Sequence, residues 1–268
     1  MTRLCALYGV TRAGYYACRR RGESRHAEQD RRLTERITVL FRRHRGRYGS
    51  PRIWRELKDE GWRVSRRRVE RLMRVAGLWA RVARVYWANP ALHRFYEQHP
   101  NRLPRGGAQR PNHVWVGDIT YVPIGSTWRF LAVVVDQWSR RVLAWSLSAR
   151  RDASLTQRVL DAAVRRRRPA AGVVFHSDRG SEYSAVALRE RLHALGIQQS
   201  SAQRGPEDNA HVESFFHSLK AELIHGTRFE SEATLRRELS GYINYYNRQQ
   251  RHSALGYLSP VDYEAHAA

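Results

Sequence analysis

The hydrophobic period of this chain changes after residue 112, and that change limits the folds open to it. Residues 113–124, 127–138 and 140–149 are three strand-like runs rich in Val, Ile, Trp, Thr and Tyr. Tight turns at Gly125-Ser126 and Ser139-Arg140 separate them, and turns that short join antiparallel neighbours. A helix over about 153–167 follows, with Leu155, Val159 and Ala163 inward, then a short strand at Val173-Val174-Phe175. A helix at 183–195, a strand at 197–202, a helix at 209–225 and a last helix at 231–249 complete the pattern. The last carries Leu235, Leu239, Tyr242 and Tyr246 on one side. The order β-β-β-α-β-α-β-α predicts an α/β fold. Its mixed five-stranded sheet is an antiparallel meander with two parallel additions and flanking helices.

The N-terminal third is helical and basic. Residues 2–20 read as a short helix, a turn at Gly9 and a second helix capped by Thr11. Residues 30–45 form a further helix with Leu33, Ile37 and Leu40 on one side. Ser50 reads as a cap with Pro51 at the first helical position, and Ile53, Trp54 and Leu57 form the apolar stripe before Gly61 breaks the helix. Ser65 caps the next helix, in which Val69, Leu72, Met73 and Ala76 face inward and Gly77 ends it. Its other side carries Arg67, Arg71 and Arg74 at helical spacing. Two short helices about a glycine turn, the second with an arginine row, fit a helix-turn-helix over about 47–79. The plainer alternative is a helical hairpin with a solvated basic face. The prolines and glycines of 81–112 read as a linker with one helical turn around 91–98. The expected division is therefore 1–80, 81–112 and 113–268.

Three acids fall where such a sheet would gather them. Asp118 is mid-strand in His113-Val-Trp-Val-Gly-Asp-Ile-Thr-Tyr121, and Asp178 ends the fourth strand in His176-Ser-Asp-Arg-Gly180. A right-handed crossover brings that strand beside the first and parallel to it, so both carboxylates share one edge of the sheet. Glu213 follows on a helix with Asp208 as its cap, and the stripe Val212, Phe216, Leu219 and Leu223 sets it at the boundary of the buried face. Taken singly, Asp118 could satisfy a neighbouring strand, Asp178 could cap a helix and Glu213 could be solvated. Taken together they would repel, and one would hold a proton unless cations intervened. Hard oxygen donors of this kind suit Mg²⁺. Two such ions, about 3.5–4 Å apart, can activate an attacking oxygen and stabilise a leaving one during in-line displacement.

The charge balance points to a polyanion. Lys plus Arg total 48 against 25 Asp plus Glu, a net charge of +23 and a pI near 11.2. Only Lys58 and Lys220 are lysines. An Arg-rich composition accounts for Arg over Lys but not for base over acid, whereas binding phosphates and releasing their counterions accounts for the excess. Cys5 and Cys18 form no Cys-x-x-Cys pair, so neither a disulfide framework nor a zinc knuckle is supported. The twelve histidines have no ligand spacing, and most read as surface or DNA-facing groups. With no apolar run of membrane length or signal core, the expected location is cytoplasmic and nucleoid-associated, with no membrane partner.

Four segments carry a family resemblance: Trp115-Val-Gly-Asp-Ile-Thr-Tyr121, His176-Ser-Asp-Arg-Gly-Ser-Glu-Tyr183, Asp208-Asn-Ala-His-Val-Glu-Ser-Phe-Phe216 with Leu219-Lys220, and Tyr245-Tyr-Asn-Arg248 with Arg251-His252-Ser253. They resemble the OrfB product of insertion sequences in the IS-three family, and Arg47-Tyr-Gly-Ser-Pro-Arg-Ile-Trp54 through Met73 is similar to that family's second helix-turn-helix. The resemblance covers nearly the whole chain. It implies a ribonuclease-H-like integrase catalytic core in 113–268 and a DNA transposase that frees a 3′-hydroxyl at an element end, then joins it to another phosphodiester. On this reading Asp118, Asp178 and Glu213 are catalytic and hold two Mg²⁺ ions, with Mn²⁺ able to substitute. Lys220 contacts terminal DNA phosphate, with His217, Asn209 and Arg179 as further DNA contacts beside Arg67, Arg71 and Arg74. Asp136 also matches a family position and reads as structural. The implied partners are the terminal inverted repeats, target DNA, the OrfA product or an OrfA–OrfB fusion, and further copies of the chain.

Two departures qualify the resemblance. The 34 residues between Asp178 and Glu213 are one fewer than usual in the family, and the OrfA portion is not part of this sequence. The alternatives are a catalytically inactive DNA-binding remnant or regulator, and a plain nuclease of the same fold.

Overall fold

The computed structural model describes residues 2–20, 24–81, 101–104, 107–178, 180–202 and 209–267. They fall in two compact units, Met1–Arg81 and Val82–Ala268. The helical turn expected at 91–98 and the Asp208 cap lie outside the described residues.

In the first unit, α1 (Thr2–Leu7) and α2 (Arg12–Arg20) turn at Gly9, whose φ of +60° suits glycine. Thr11 caps α2, its hydroxyl accepting from the Gly14 amide at 3.0 Å. α3 (Arg25–Arg43) begins earlier than its apolar period indicates, because Ser24 caps a first turn, Arg25 to Glu28, that carries no large apolar residue. α4 (Ser50–Asp59) and α5 (Arg66–Val75) pack with it, burying Leu33, Ile37, Leu40, Ile53, Leu57, Val69, Leu72 and Met73. Two sequence expectations shift by a residue. Gly49 is the cap of α4 and Ser50 opens the helix, while Ala76 is the exposed C-cap of α5 rather than a core residue. The indole N–H of Trp54 donates to the Val64 carbonyl at 2.9 Å, closing the turn between α4 and α5.

The second unit runs β1 (Val114–Ile124), β2 (Thr127–Asp136), β3 (Val142–Ser148), α6 (Ala153–Arg167), β4 (Val174–Ser177), α7 (Ser181–Ser184), α8 (Val186–Ala194), β5 (Gln198–Ser201), α9 (Ala210–Leu219), α10 (Glu232–Arg248) and α11 (Pro260–His266). The sheet order is β3-β2-β1-β4-β5. The first three strands are antiparallel neighbours, while β4 lies parallel to β1 and β5 parallel to β4. Strand alternation divides the core between two faces. Val114, Val116, Val122 and Ile124 pack against Val212, Phe215 and Leu219 of α9 and Leu235 and Tyr242 of α10. Trp115, Ala132 and Val134 pack on the other face against Leu155 and Val159 of α6 and Leu188 and Leu192 of α8. Each fully buried Leu, Val or Phe contributes about 1.5–3 kcal/mol, so burial on both faces sets the register of β1.

Three elements differ from the pattern read in the sequence. The helix expected over 183–195 is broken at Ala185, whose extended backbone divides α7 from α8. The helix expected to run to 225 is α-helical only to Leu219, then widens into a π turn at Lys220–Ile224. That turn buries Ala221, Glu222, Leu223 and Ile224 in succession, more than one face of an α-helix presents. Glu222 accepts from the Tyr242 hydroxyl at 3.1 Å and the Gln250 amide at 3.2 Å, which holds the turn. Finally, α11 was not anticipated, although Ser259-Pro260 repeats the cap-and-proline signal used for α4.

Candidate active site

β4 stops at Ser177, opposite Gly117. From Asp118 onward, that edge of β1 has no paired strand among the described residues. Asp118 has the parity of Val114 and Val116, so its side chain belongs to the α9–α10 face. Asp178 stands one residue beyond β4 and continues the parity of Val174. Glu213 lies on α9, the helix that covers this face, on a flank left exposed by Val212, Phe215 and Phe216.

Proximity appears in the electrostatics. The Asp118 carboxyl is pushed up to about 8, by burial first and then by the charges of Asp178 and Glu213. Asp178 is raised by burial, with the Glu182 carboxylate adding to it. Glu213 is raised by partial burial and then by Asp178. The amides of Ile119 and Gly180 donate to Asp118 and Asp178 at 2.7 and 3.1 Å, favouring the ionised forms without overcoming burial. As the side chains stand, no three Asp, Glu, His or Cys among the described residues are gathered into a ready ligand set.

One cation at the site was not legible in the sequence. Arg151 donates from Nε to Glu182 Oε1 at 2.8 Å, and its charge partly offsets those of Asp118 and Asp178. Glu182 is buried, and a Cβ at Gly180 would meet its carboxylate, so a larger residue there would have to shift the Glu182 side chain and its pairing with Arg151. The Asp152 cap on α6 was findable and places Arg151 just before a helix. Nothing in the local pattern aims its side chain 31 residues ahead. The buried Tyr183 hydroxyl faces the same charges, and its phenol is raised well above the usual range, by burial first.

The remaining sequence candidates are placed unevenly. Lys220, at the start of the π turn, holds its ammonium 4.9 Å from the centre of the Tyr121 ring, and burial lowers its pKa while Asp118 pulls it up. His217 is half-buried on α9, one turn beyond Glu213. Asn209 occupies the cap position of α9 without capping it, and its buried amide oxygen has no hydrogen-bond partner. Arg179 lies outside the described residues. In the first unit, Arg67 is exposed, Arg74 pairs with Glu70 at 3.4 Å, and Arg71 is drawn to Asp30 at 2.5 Å alongside Arg68. The arginine row is therefore not uniformly solvated.

Asp136 is fully buried. It accepts from the backbone amides of Asn112, Trp138 and Ser139 at 2.8, 3.0 and 3.2 Å, which closes the β2–β3 turn. Glu264 of α11 braces the same turn through Ser139, Arg141 and Arg167. Two of the histidines, His44 and His176, are buried, the latter 2.9 Å from the Ser200 hydroxyl.

A five-stranded sheet in this order, layered by helices and with acids at its central parallel strands, is an integrase-type core of the polynucleotidyl transferase class. Residues 108–206 and 213–267 match Integrase core domain families, and residues 28–86 match an HTH-like domain family. The transposase InsF of insertion sequence IS3A from Escherichia coli is 37% identical over 268 residues, covering 97% of this chain and 92% of the relative. The transposase of insertion sequence element IS904 from Lactococcus lactis is 37% identical over 235 residues, covering 87% and 93%. A chain of the simian T-cell lymphotropic virus intasome, solved with PP2A regulatory subunit B56 gamma, is 16% identical. It overlays with a TM-score of 0.48, covering 85% of this chain and 74% of that one. The chain belongs to the IS3-family transposases. No helix among the described residues is long and apolar enough to cross a membrane.

Proposed function

We propose that this transposase cuts and joins DNA at one site built from Asp118, Asp178 and Glu213. The observation that carries the reading is the shared charge of these acids at the open edge of β1, with Asp118 held near 8. An acid cluster with so little compensating positive charge is suited to a divalent cation, and its donors are all carboxylate oxygens. The three carboxylates would hold two Mg²⁺ ions, with water and phosphate oxygens completing the ligand set. When bound, the ions lower the pKa of the attacking water or 3′-hydroxyl and stabilise the leaving oxygen.

The chain's own residues bind and orient. Lys220 is positioned to hold a phosphate beside the carboxylates, with His217 on the same helix. Arg151, paired with Glu182, keeps the Asp178 turn in place and lessens repulsion before the cations arrive. In cleavage a water oxygen would bond to phosphorus as the P–O3′ bond breaks, leaving a 3′-hydroxyl and a 5′-phosphate. In joining that 3′-oxygen would bond to a second phosphorus as its P–O3′ bond breaks and a new 3′-hydroxyl leaves. Phosphate contacts by the basic first unit, including Arg67 and its helix, supply affinity for DNA without specifying sequence. The partners are the element's terminal repeats, target DNA, the OrfA portion and further copies of this chain, since two ends must be held together.

The test pairs a plasmid carrying the element's ends with the chain alone and with an OrfA–OrfB fusion, in Mg²⁺. Strand breaks and joined circles are expected from the wild-type fusion and not from Asp118→Asn or Glu213→Gln. Activity that survives either substitution removes the triad assignment. End binding without any strand break in the wild-type fusion identifies a non-catalytic DNA-binding protein instead.

A further inference from the structure

The β1–β2 hairpin carries two large aromatic side chains that the core does not use. Tyr121 is paired with Phe130 and Trp128 with Pro123, so residues 121 and 128 are diagonal neighbours on one face of the hairpin. Their rings meet edge to face, 5.2 Å between centroids and 82° between planes. A pair serving only to hold strands together would be covered, yet Tyr121 is 56% and Trp128 53% exposed. Lys220 reaches Tyr121 from the helix that carries Glu213, its ammonium 4.9 Å from the ring centre. Asp118 is three residues along the same strand, roughly 10 Å at the usual rise, and its side chain leaves the opposite face. Lys220 bridges the two at the strand edge, lying over the Tyr121 ring and within reach of the Asp118 charge. Among the described residues, the other exposed aromatic side chains, Tyr8, Tyr16 and Trp79, belong to the first unit. Open aromatic faces, a cation and the acid site thus adjoin on one stretch of β1.

We propose that Tyr121 and Trp128 are a stacking platform for an unpaired base of the DNA strand whose phosphate enters the acid site, with Lys220 holding the backbone next to that base. The inference rests on the reading of Asp118, Asp178 and Glu213 as a strand-cleaving site. The chemistry supports it on two counts. Every base has a π face, so a ring platform accepts any sequence, as an enzyme acting on the ends of different strands requires. A base rotated out of the stack turns the backbone beside it, which lets the adjoining phosphate be drawn down toward the acid site. The ammonium over Tyr121 serves both parts, since it polarises the ring and meets the phosphate on the same side.

The test uses the full chain and short oligonucleotides with 2-aminopurine as the base next to the cleavage position. Binding is first read in EDTA, where no cleavage occurs. Single-stranded and frayed-end oligonucleotides are expected to bind with a fluorescence change. Tyr121→Ala and Trp128→Ala should each weaken that binding about tenfold or more, Trp128→Phe should retain most of it, and binding of blunt duplex should stay unchanged. Cleavage in Mg²⁺ should fall in the two alanine variants and persist in Trp128→Phe. The Glu213→Gln variant should keep the fluorescence change and lose cleavage. If wild type cleaves nothing, the catalytic reading fails while the fluorescence arm still judges the platform. Unchanged affinity and signal in both alanine variants overturns the proposal. So does loss of self-association in sedimentation with oligonucleotide binding intact, because the rings would then be a contact between copies of this chain.

Discussion

Gly117 and Phe175 meet so closely across the β1–β4 pairing that a Cβ on Gly117 would stand 2.5 Å from the Phe175 ring. The two strands carrying Asp118 and Asp178 therefore approach over a ring and a bare backbone. Gly117→Ala is expected to cost about 1–3 kcal/mol by overpacking, since Phe175 is fully buried and cannot yield. It should also displace the neighbouring Asp118. Urea unfolding measures the first effect and DNA cleavage the second. A variant as stable as wild type would show that β1 and β4 part without cost.

Asp118 makes stability depend on pH in a stated direction. Its folded value, about 8, lies above the ordinary aspartate value of 3.8. Between those values the folded protein keeps a proton that the unfolded chain has released, so stability is greatest below the lower one and declines as pH rises through the upper. Metal-free wild type should melt at lower temperature at pH 9 than at pH 6, and Asp118→Asn should flatten that decline. Mg²⁺ should restore stability at the alkaline end in wild type alone, because cations bind the ionised form. Melting curves in EDTA that coincide for the two proteins across this range would count against the coupling.

Asp136 is expected to behave as part of the fold. Asp136→Ala leaves three backbone amides, that of Ser139 buried and those of Asn112 and Trp138 partly so, without their acceptor. The expected cost is about 3 kcal/mol, each bond to a charged group contributing about 1.5–3 kcal/mol. Calorimetry in the presence and absence of Mg²⁺ separates the roles. The same loss in both conditions is expected, and a loss confined to the metal-bound protein would make Asp136 a ligand.

Lys220 should act on DNA without regard to sequence. Lys220→Met is expected to weaken binding of element ends and unrelated duplexes alike and to reduce the slope of log affinity against log salt by about 0.9. A titration series in rising salt decides it. An unchanged slope would remove Lys220 from the phosphate contacts.

Much of the fold was legible because its signals are local. The Gly125-Ser126 turn, the period-2 runs and the apolar stripe of α6 each lie within a few residues, and the bounds of α6 read from the stripe agree with the structure at both ends. The crossover rule then placed β4 beside β1. The elements read wrongly were those whose form depends on distant partners. The π turn depends on Glu222 meeting Tyr242 and Gln250, and the break at Ala185 has no glycine or proline to mark it. At the candidate site, Asp118, Asp178 and Glu213 stood out because an acid within β1, one just beyond the neighbouring β4 and one on the flanking helix are gathered by topology. Arg151 did not, since its partner Glu182 is brought near only by packing.

The sequence by itself determined the antiparallel meander, the place of β4 beside β1 and the acids there, because periodicity, turn chemistry and crossover handedness act over short stretches, while its motifs alone carried the family resemblance. Only the tertiary structure decided which side chains share a site. It set Arg151 against Glu182, drew Arg71 to Asp30, braced the β2–β3 turn with Glu264 and brought Lys220 over Tyr121 beside an exposed Trp128. These contacts join residues far apart in the chain. Their energies depend on distances and burial that exist only once the layers have packed.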